Sequence, residues 1–311
     1  MYHLSKCIVQ NSLFMAVVLV SLCLLPRRGN AAEYAITMDD PHLYQTPLLT
    51  AGERNARILK LLKATGKKAM LFVCGKRIAS PNGKRLLHLW SQAGHLLANH
   101  SYSHRYFHSR RMSLKRFEQD VMKNHNMLLG YGAFVRFFRF PYLKEGNTLT
   151  KRDGMRRWMK SMKYKNGHVT IDASDWYIDQ RMRMKLKQST KTPLKPYRNY
   201  YLKHMWGRAQ YYDSLAKQLW RRPVKHTILL HHNLLNALFL GDLIQHFASK
   251  GWKLTDADKV YNDPLYARVP KRLPSGESLI WSFAREKGLK GLRYPAESGR
   301  YEKKPMDALG L

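Results

Sequence analysis

Short apolar strands alternating with amphipathic helices predict an α/β fold on parallel strands, either closed as a barrel or left as an open doubly wound sheet. Two further observations favour this class. The chain has 311 residues and 44% apolar content, enough to bury the core of one large α/β domain or of two ordinary ones. Ionisable residues also stand where the strands end, the edge at which parallel folds build their sites.

The first strand, Tyr34–Met38, is short and apolar and runs into Asp39–Asp40. Glu53–Thr65 has helical spacing, with Ile58, Leu59 and Leu62 on one face and Gly66 as its stop. Ala69–Val73 is a second strand. Lys84–Ala93 is a helix carrying Leu86, Leu87 and Trp90, closed by Gly94. The third strand, His95–Ala98, leads to His100. Ser113 is placed to cap a helix that runs to Leu129 with Phe117, Val121 and Leu128 inward. The fourth strand, Val135–Phe138, leads to Arg139. After a helix at Leu149–Met162, a strand at His168–Ile171 reaches Asp172 and another at Thr227–Leu230 reaches His231. A helix at Asp242–Ser249 and a strand at Trp252–Thr255 complete the alternation.

Two stretches break the rhythm. An insertion of about 179–226 is strongly basic, and Tyr201, Met205, Tyr212, Leu215 and Leu219 keep helical spacing within it. The tail, 263–311, is rich in Pro and Gly and is expected to wrap the domain, with Trp281 and Phe283 docking part of it. No repeat or low-complexity tract is present.

Residues 1–31 read as an export signal: Lys6, an apolar run from Leu13 to Leu25, then Gly29, Ala31 and Ala32 around a cleavage point. Arg27 and Arg28 lie on the far side of that run, which leaves an uncleaved anchor, with transient membrane contact, as the alternative. Leu22 before Cys23 does not suit a lipidation site. The mature chain then keeps only Cys74, so no disulfide within the chain can form. Charge is extreme, 55 Lys+Arg against 21 Asp+Glu, a net +34. Such a field favours polyanions, among them an anionic envelope polymer, although the positives are scattered and fit a general basic bias equally well.

The strand ends carry Asp39–Asp40, His100, Arg139, Asp172 and His231. A helix cap or an Asp-Asp-Pro turn would explain one of them, but five at five strand ends point to a site. In His100-Ser-Tyr-Ser-His104 two imidazoles four apart share one face of a helical turn. A carboxylate added to them makes a His₂-carboxylate set with open positions, as catalytic zinc sites have. Of the paired aspartates, one can ligate a metal while the other takes a proton from water.

These residues form a recognisable series. The chain resembles the polysaccharide deacetylases with the NodB homology domain, carbohydrate esterase family four, whose five short motifs occur here in order over about 33–262. Thr37-Met38-Asp39-Asp40 resembles the first, with Met38 for the usual Phe, and His100–His104 matches the second. Arg139-Phe140-Pro141-Tyr142 matches the third, Asp172-Ala173-Ser174-Asp175-Trp176 the fourth, and Ile228-Leu229-Leu230-His231 the fifth.

The resemblance implies an irregular (β/α)7-8 barrel over 32–262 and one divalent metal ion, usually zinc, with cobalt or nickel as alternatives, on Asp40, His100 and His104. It implies Asp39 as general base, held by Arg139, and His231 as general acid, tuned by Asp172. The Tyr142 backbone N–H would serve the oxyanion, and Trp176, Leu229 and Pro141 would line the acetyl pocket. Pro41 stands where the family commonly has Gly, and His232 stands beside the expected acid. The implied activity is removal of N-acetyl groups from an amino-sugar polymer such as peptidoglycan, poly-N-acetylglucosamine or a chitin-like glycan, in the periplasm or cell envelope. The rival is a non-catalytic binder of envelope polymer or nucleic acid on a decayed scaffold. Basic, tyrosine-rich stretches in 179–226 suit single-stranded nucleic acid, but export argues against that partner, and the acid, base and metal set is complete.

Overall fold

Parallel strands covered on both faces need near-continuous apolar runs; β2 (Met70–Val73) is wholly apolar, and β1 (Glu33–Asp39), β3 (Leu96–Asn99) and β4 (Phe134–Phe138) are mostly so, β4 exposing Arg136. In the computed structural model, which describes residues 31–295 and 299–311, these strands are joined by α1 (Ala51–Thr65), α2 (Pro81–Gln92) and α3 (Leu114–Leu128). Local chemistry sets the helix ends. Thr50 and Glu53 form a reciprocal capping box on α1, and Gly66 ends it at φ 63°, a left-handed turn that glycine adopts without strain.

A short β5 (Lys144–Gly146) and α4 (Leu149–Ser161) follow β4. Next come β6 (Lys165–Asn166), α5 (Asp175–Gln188), α6 (Lys195–Trp220) and β7 (Lys225–His231). The chain closes with α7 (Leu234–Ser249), β8 (Lys253–Leu254), α8 (Ala257–Val260), β9 (Ser275–Gly276), α9 (Leu279–Glu286) and α10 (Arg300–Ala308). The parallel sheet runs β6-β4-β3-β2-β1-β7, with β8 also on β1. The segment 165–171 joins its two margins: β6 pairs with β4, and Ile171 pairs with Ile228 of β7. The sheet is therefore curled, as the expected irregular barrel requires.

Three expectations are corrected. The strand expected at His168–Ile171 is a single bridge, because Thr170 and Thr227 bond each other's main chain through their hydroxyls instead of a regular ladder. The helix expected at Asp242–Ser249 begins at Leu234, capped by Asn233. Its first turns, buried at Leu234, Leu235, Ala237, Phe239 and Leu240, are apolar nearly all round and so hide the helical period. The His100–His104 segment is not helical, as described below.

The insertion supplies α5 and α6, and Tyr201, Met205, Tyr212 and Leu215 are buried in the main core as the spacing suggested. The tail docks: β9 pairs with β5, α9 packs against α6, and Trp281 is buried. The segment read as an export signal lies, except for its last residue, outside the described residues. Among the described residues no helix is long and apolar enough to cross a membrane.

Candidate active site

Register brings the strand ends together. In the parallel pair β1–β7, Asp39 stands directly beside His231, and in β3–β4, Asn99 stands beside Phe138, so that His100 and Arg139 follow at the same edge. Alternation along a strand puts Thr37 and Asp39 on one face, and Arg139 holds both. Its Nη1 donates to Asp39 Oδ1 at 2.6 Å and its Nη2 to Thr37 Oγ1 at 2.9 Å. Its Nε donates to Gly167 O at 2.8 Å, so the guanidinium is held in one orientation. Burial pushes the Asp39 carboxyl upward, against the pull of Arg139 and His231.

Alternation alone would send Asp40 away from Asp39. Asp40 instead adopts φ 60°, leaving the strand, and both carboxylates face one cleft. The two histidines converge by a similar device. Ser101 and His104 have φ 61° and 53°, so a loop with two left-handed residues, not a helical turn, brings the imidazoles to 4.9 Å between ring centres. Asp120 braces this loop by accepting from the Ser103 N–H and hydroxyl.

Asp40, His100 and His104 place one ligand atom each within 4.8 Å of one another. Their chemistry fits a divalent metal. His100 Nδ1 donates to the Arg139 carbonyl at 2.8 Å, which fixes the tautomer and leaves the Nε2 lone pair available. Asp40 Oδ1 is buried without a hydrogen-bond partner. Burial holds His100 well below its usual range and, together with Arg77 and His231, lowers His104 to about 3, so both rings are neutral as ligation demands.

Across the cleft, His231 Nδ1 meets Asp175 Oδ1 at 2.8 Å. Burial by itself would lower this imidazole, but the adjacent Asp175, with Asp39 and Asp40, raises it to about 9. Asp175 also accepts from the His231 main-chain N–H and from the side-chain amides of Asn233 and Asn236, and Tyr201 of α6 donates to Asn236 at 2.6 Å. The carboxylate on His231 is thus Asp175, where Asp172 had been expected. Asp172 lines the same cleft, raised to about 7 by burial and Glu277. His232 points the other way, buried against Trp90 and bonded to Asn55 at 3.1 Å.

The cleft encloses about 440 Å³, and Trp176, Leu229 and Tyr142 line it together with the groups above. Pro141 does not. It is buried at the start of the turn that presents Tyr142, whose φ of 56° sets its ring edge-on to His104 at 4.7 Å. His42, Tyr44, Arg77, Asp179 and Arg183 also line the cleft and were not foreseen. Arg77 follows the end of β2, so the strand-end rule, applied to that strand too, would have found it.

A curled parallel sheet carrying these groups at its carboxyl edge is the architecture of the NodB-type barrel. The family described as polysaccharide deacetylase matches residues 27–165, a span that holds the first three motifs, and the family resemblance is borne out. Among solved structures, the chain is similar to wild-type BA3943 from Bacillus anthracis, a CE4 family pseudoenzyme, with a TM-score of 0.51 at 18% identity over 75% of this chain and 66% of that one. It is also similar to a BA3943 mutant, a CE4 family pseudoenzyme with restored enzymatic activity, with a TM-score of 0.52 at 19% identity over 75% and 68%. PdaC, a peptidoglycan deacetylase from Bacillus subtilis, gives a TM-score of 0.49 at 20% identity over 74% and 90%. At such identities the likeness to BA3943 concerns the fold alone. No curated protein matches the chain.

Proposed function

We propose that this protein is a metal-dependent hydrolase that removes N-acetyl groups from an amino-sugar polymer of the cell envelope. The observation that carries the reading is the pairing, across one cleft, of an Arg139-held Asp39 with an Asp175-held His231, beside the Asp40–His100–His104 trio. An amide resists hydrolysis because its carbonyl is a poor electrophile and its amine a poor leaving group. A zinc-type ion on the trio would polarise the carbonyl and acidify water. Asp39 then accepts the proton of the attacking water, Arg139 keeping its free oxygen toward the cleft. His231, protonated near neutral pH, gives its proton to the departing amine. The Tyr142 main chain serves the oxyanion, and Trp176 and Leu229 receive the acetyl methyl.

The test is acetate release from a panel of acetylated glycans by the zinc-reconstituted protein, with His104→Ala as its control. Wild type should retain about one zinc per chain by elemental analysis and the variant none. Zinc retention without acetate from any glycan would favour a binding protein on this scaffold.

A further inference from the structure

Beside the catalytic groups, one wall of the cleft is cationic. The Tyr44 ring stacks on His42 at an interplanar angle of 3°. The guanidinium carbons of Arg54 and Arg183 lie 5.6 and 5.4 Å from its centre. Arg54 is buried and donates only to the Tyr44 and His42 carbonyls and to His42 Nδ1, never to a carboxylate among the described residues. That last bond places the imidazole proton on His42 Nε2, a buried donor without an acceptor. Arg183 pairs with Asp179, which also accepts from the Leu235 N–H. Arg77, its side chain 38% exposed, pairs at 3.1 Å with Asp40, one of the trio that fits a metal. Arg77 and Arg183 both line the cleft, and each meets its carboxylate through one nitrogen, Nη1 and Nε respectively, which leaves the other N–H groups of each fork without a hydrogen bond among the described residues.

A neutral chitin-type chain offers these remaining N–H groups only hydroxyl and amide oxygens, whereas an anionic group meets them in charge-assisted pairs. The fork geometry of arginine suits carboxylate and phosphate alike. Resting on the deacetylase reading above, we infer that Arg77 and Arg183 form an anion subsite recognising a carboxylate or phosphate on the acetylated sugar or its neighbour. The preferred substrate is then an acidic amino-sugar polymer.

The experiment compares three acetylated tetrasaccharides with the zinc-loaded protein: a neutral one, one bearing a carboxylate on alternate sugars, and one bearing a phosphate there. Binding is read by calorimetry and acetate release by steady-state kinetics. Either anionic tetrasaccharide should bind about ten- to a hundredfold more tightly than the neutral one, and the stronger of the two identifies the anion. Arg77→Gln and Arg183→Gln should each reduce that preference, with Arg77→Lys restoring part of it. Removing Arg183 strands the buried Asp179 and could unfold the chain, but the wild-type comparison does not depend on any variant. Equal wild-type affinity for all three overturns the subsite, even if acetate is released from each. An anion preference that Arg77→Gln reduces, without acetate release, would keep the subsite and overturn the deacetylase reading, and one that neither variant changes would overturn the subsite.

Discussion

His231 and His232 are neighbours in sequence with opposite surroundings. His231 sits at the cleft on Asp175, while His232 is buried on Asn55 and lowered by burial to about 3. Replacing His231 by Ala should lower turnover by about 10²–10⁴, whereas His232→Ala should lower the melting temperature and largely spare turnover. The reverse order in paired kinetic and thermal measurements would reassign the acid. The His231–Asp175 pair also makes a pH prediction. The folded pKa of about 9 lies above the ordinary 6.5, so the pair's contribution to stability is complete below the lower value and fades as pH rises through the upper one. The stability gap between the metal-free wild type and Asp175→Asn, read by urea unfolding at about pH 6 and pH 10, should therefore narrow at the higher pH. A gap that holds constant or widens would mean that His231 is not stabilised as a cation.

At the scale of elements, the site depends on parts of the chain outside the five motifs. α6 lends Tyr201, whose hydroxyl holds Asn236 of α7, which in turn donates to Asp175 of α5 and to the His231 carbonyl. Tyr201→Phe leaves the buried Asn236 Oδ1 without this donor and should destabilise the fold by about 1–3 kcal/mol. It should also lower kcat for a short oligomer more than it raises KM, because Tyr201 acts on the acid's support and does not line the cleft. Unchanged stability and unchanged kcat would show that the chain of contacts does not position His231. The helical spacing of Tyr201 was legible in the sequence. The direction of its hydroxyl was not, because it depends on α7 arriving from 35 residues further along the chain.

Over the whole molecule, the net charge is +34. The basic run of α5 is not a uniform solvent face. Arg181 reaches Asp307 and the Leu311 carbonyl, and Arg183 holds Asp179, while Lys185 and Lys187 are exposed. Capture of an anionic polymer through the outer charges should weaken as salt screens them over about 8 Å. Lys185→Gln with Lys187→Gln should then raise KM on polymer while leaving a neutral oligomer's KM as it was. Equal salt response on polymer and oligomer, with no effect of the double change, would leave the outer charge as a general basic bias.

By itself the sequence determined the alternation of strands and helices, because burial on both faces demands near-continuous apolar runs. It also determined which residue types stand at the strand ends, since motif spacing is local. Tertiary structure alone decided which of those groups meet. Asp175 and not Asp172 reached His231, and Arg77 and Arg183 entered the cleft wall. Left-handed turns at Asp40, Ser101 and His104 set the trio, where sequence spacing suggested a helix. The physical reason is that register between β1, β3, β4 and β7, and the packing of α5 against α7, are fixed by contacts far apart in the chain. Side-chain direction at a strand end follows from those contacts and from single backbone angles, and neither is written in residue spacing.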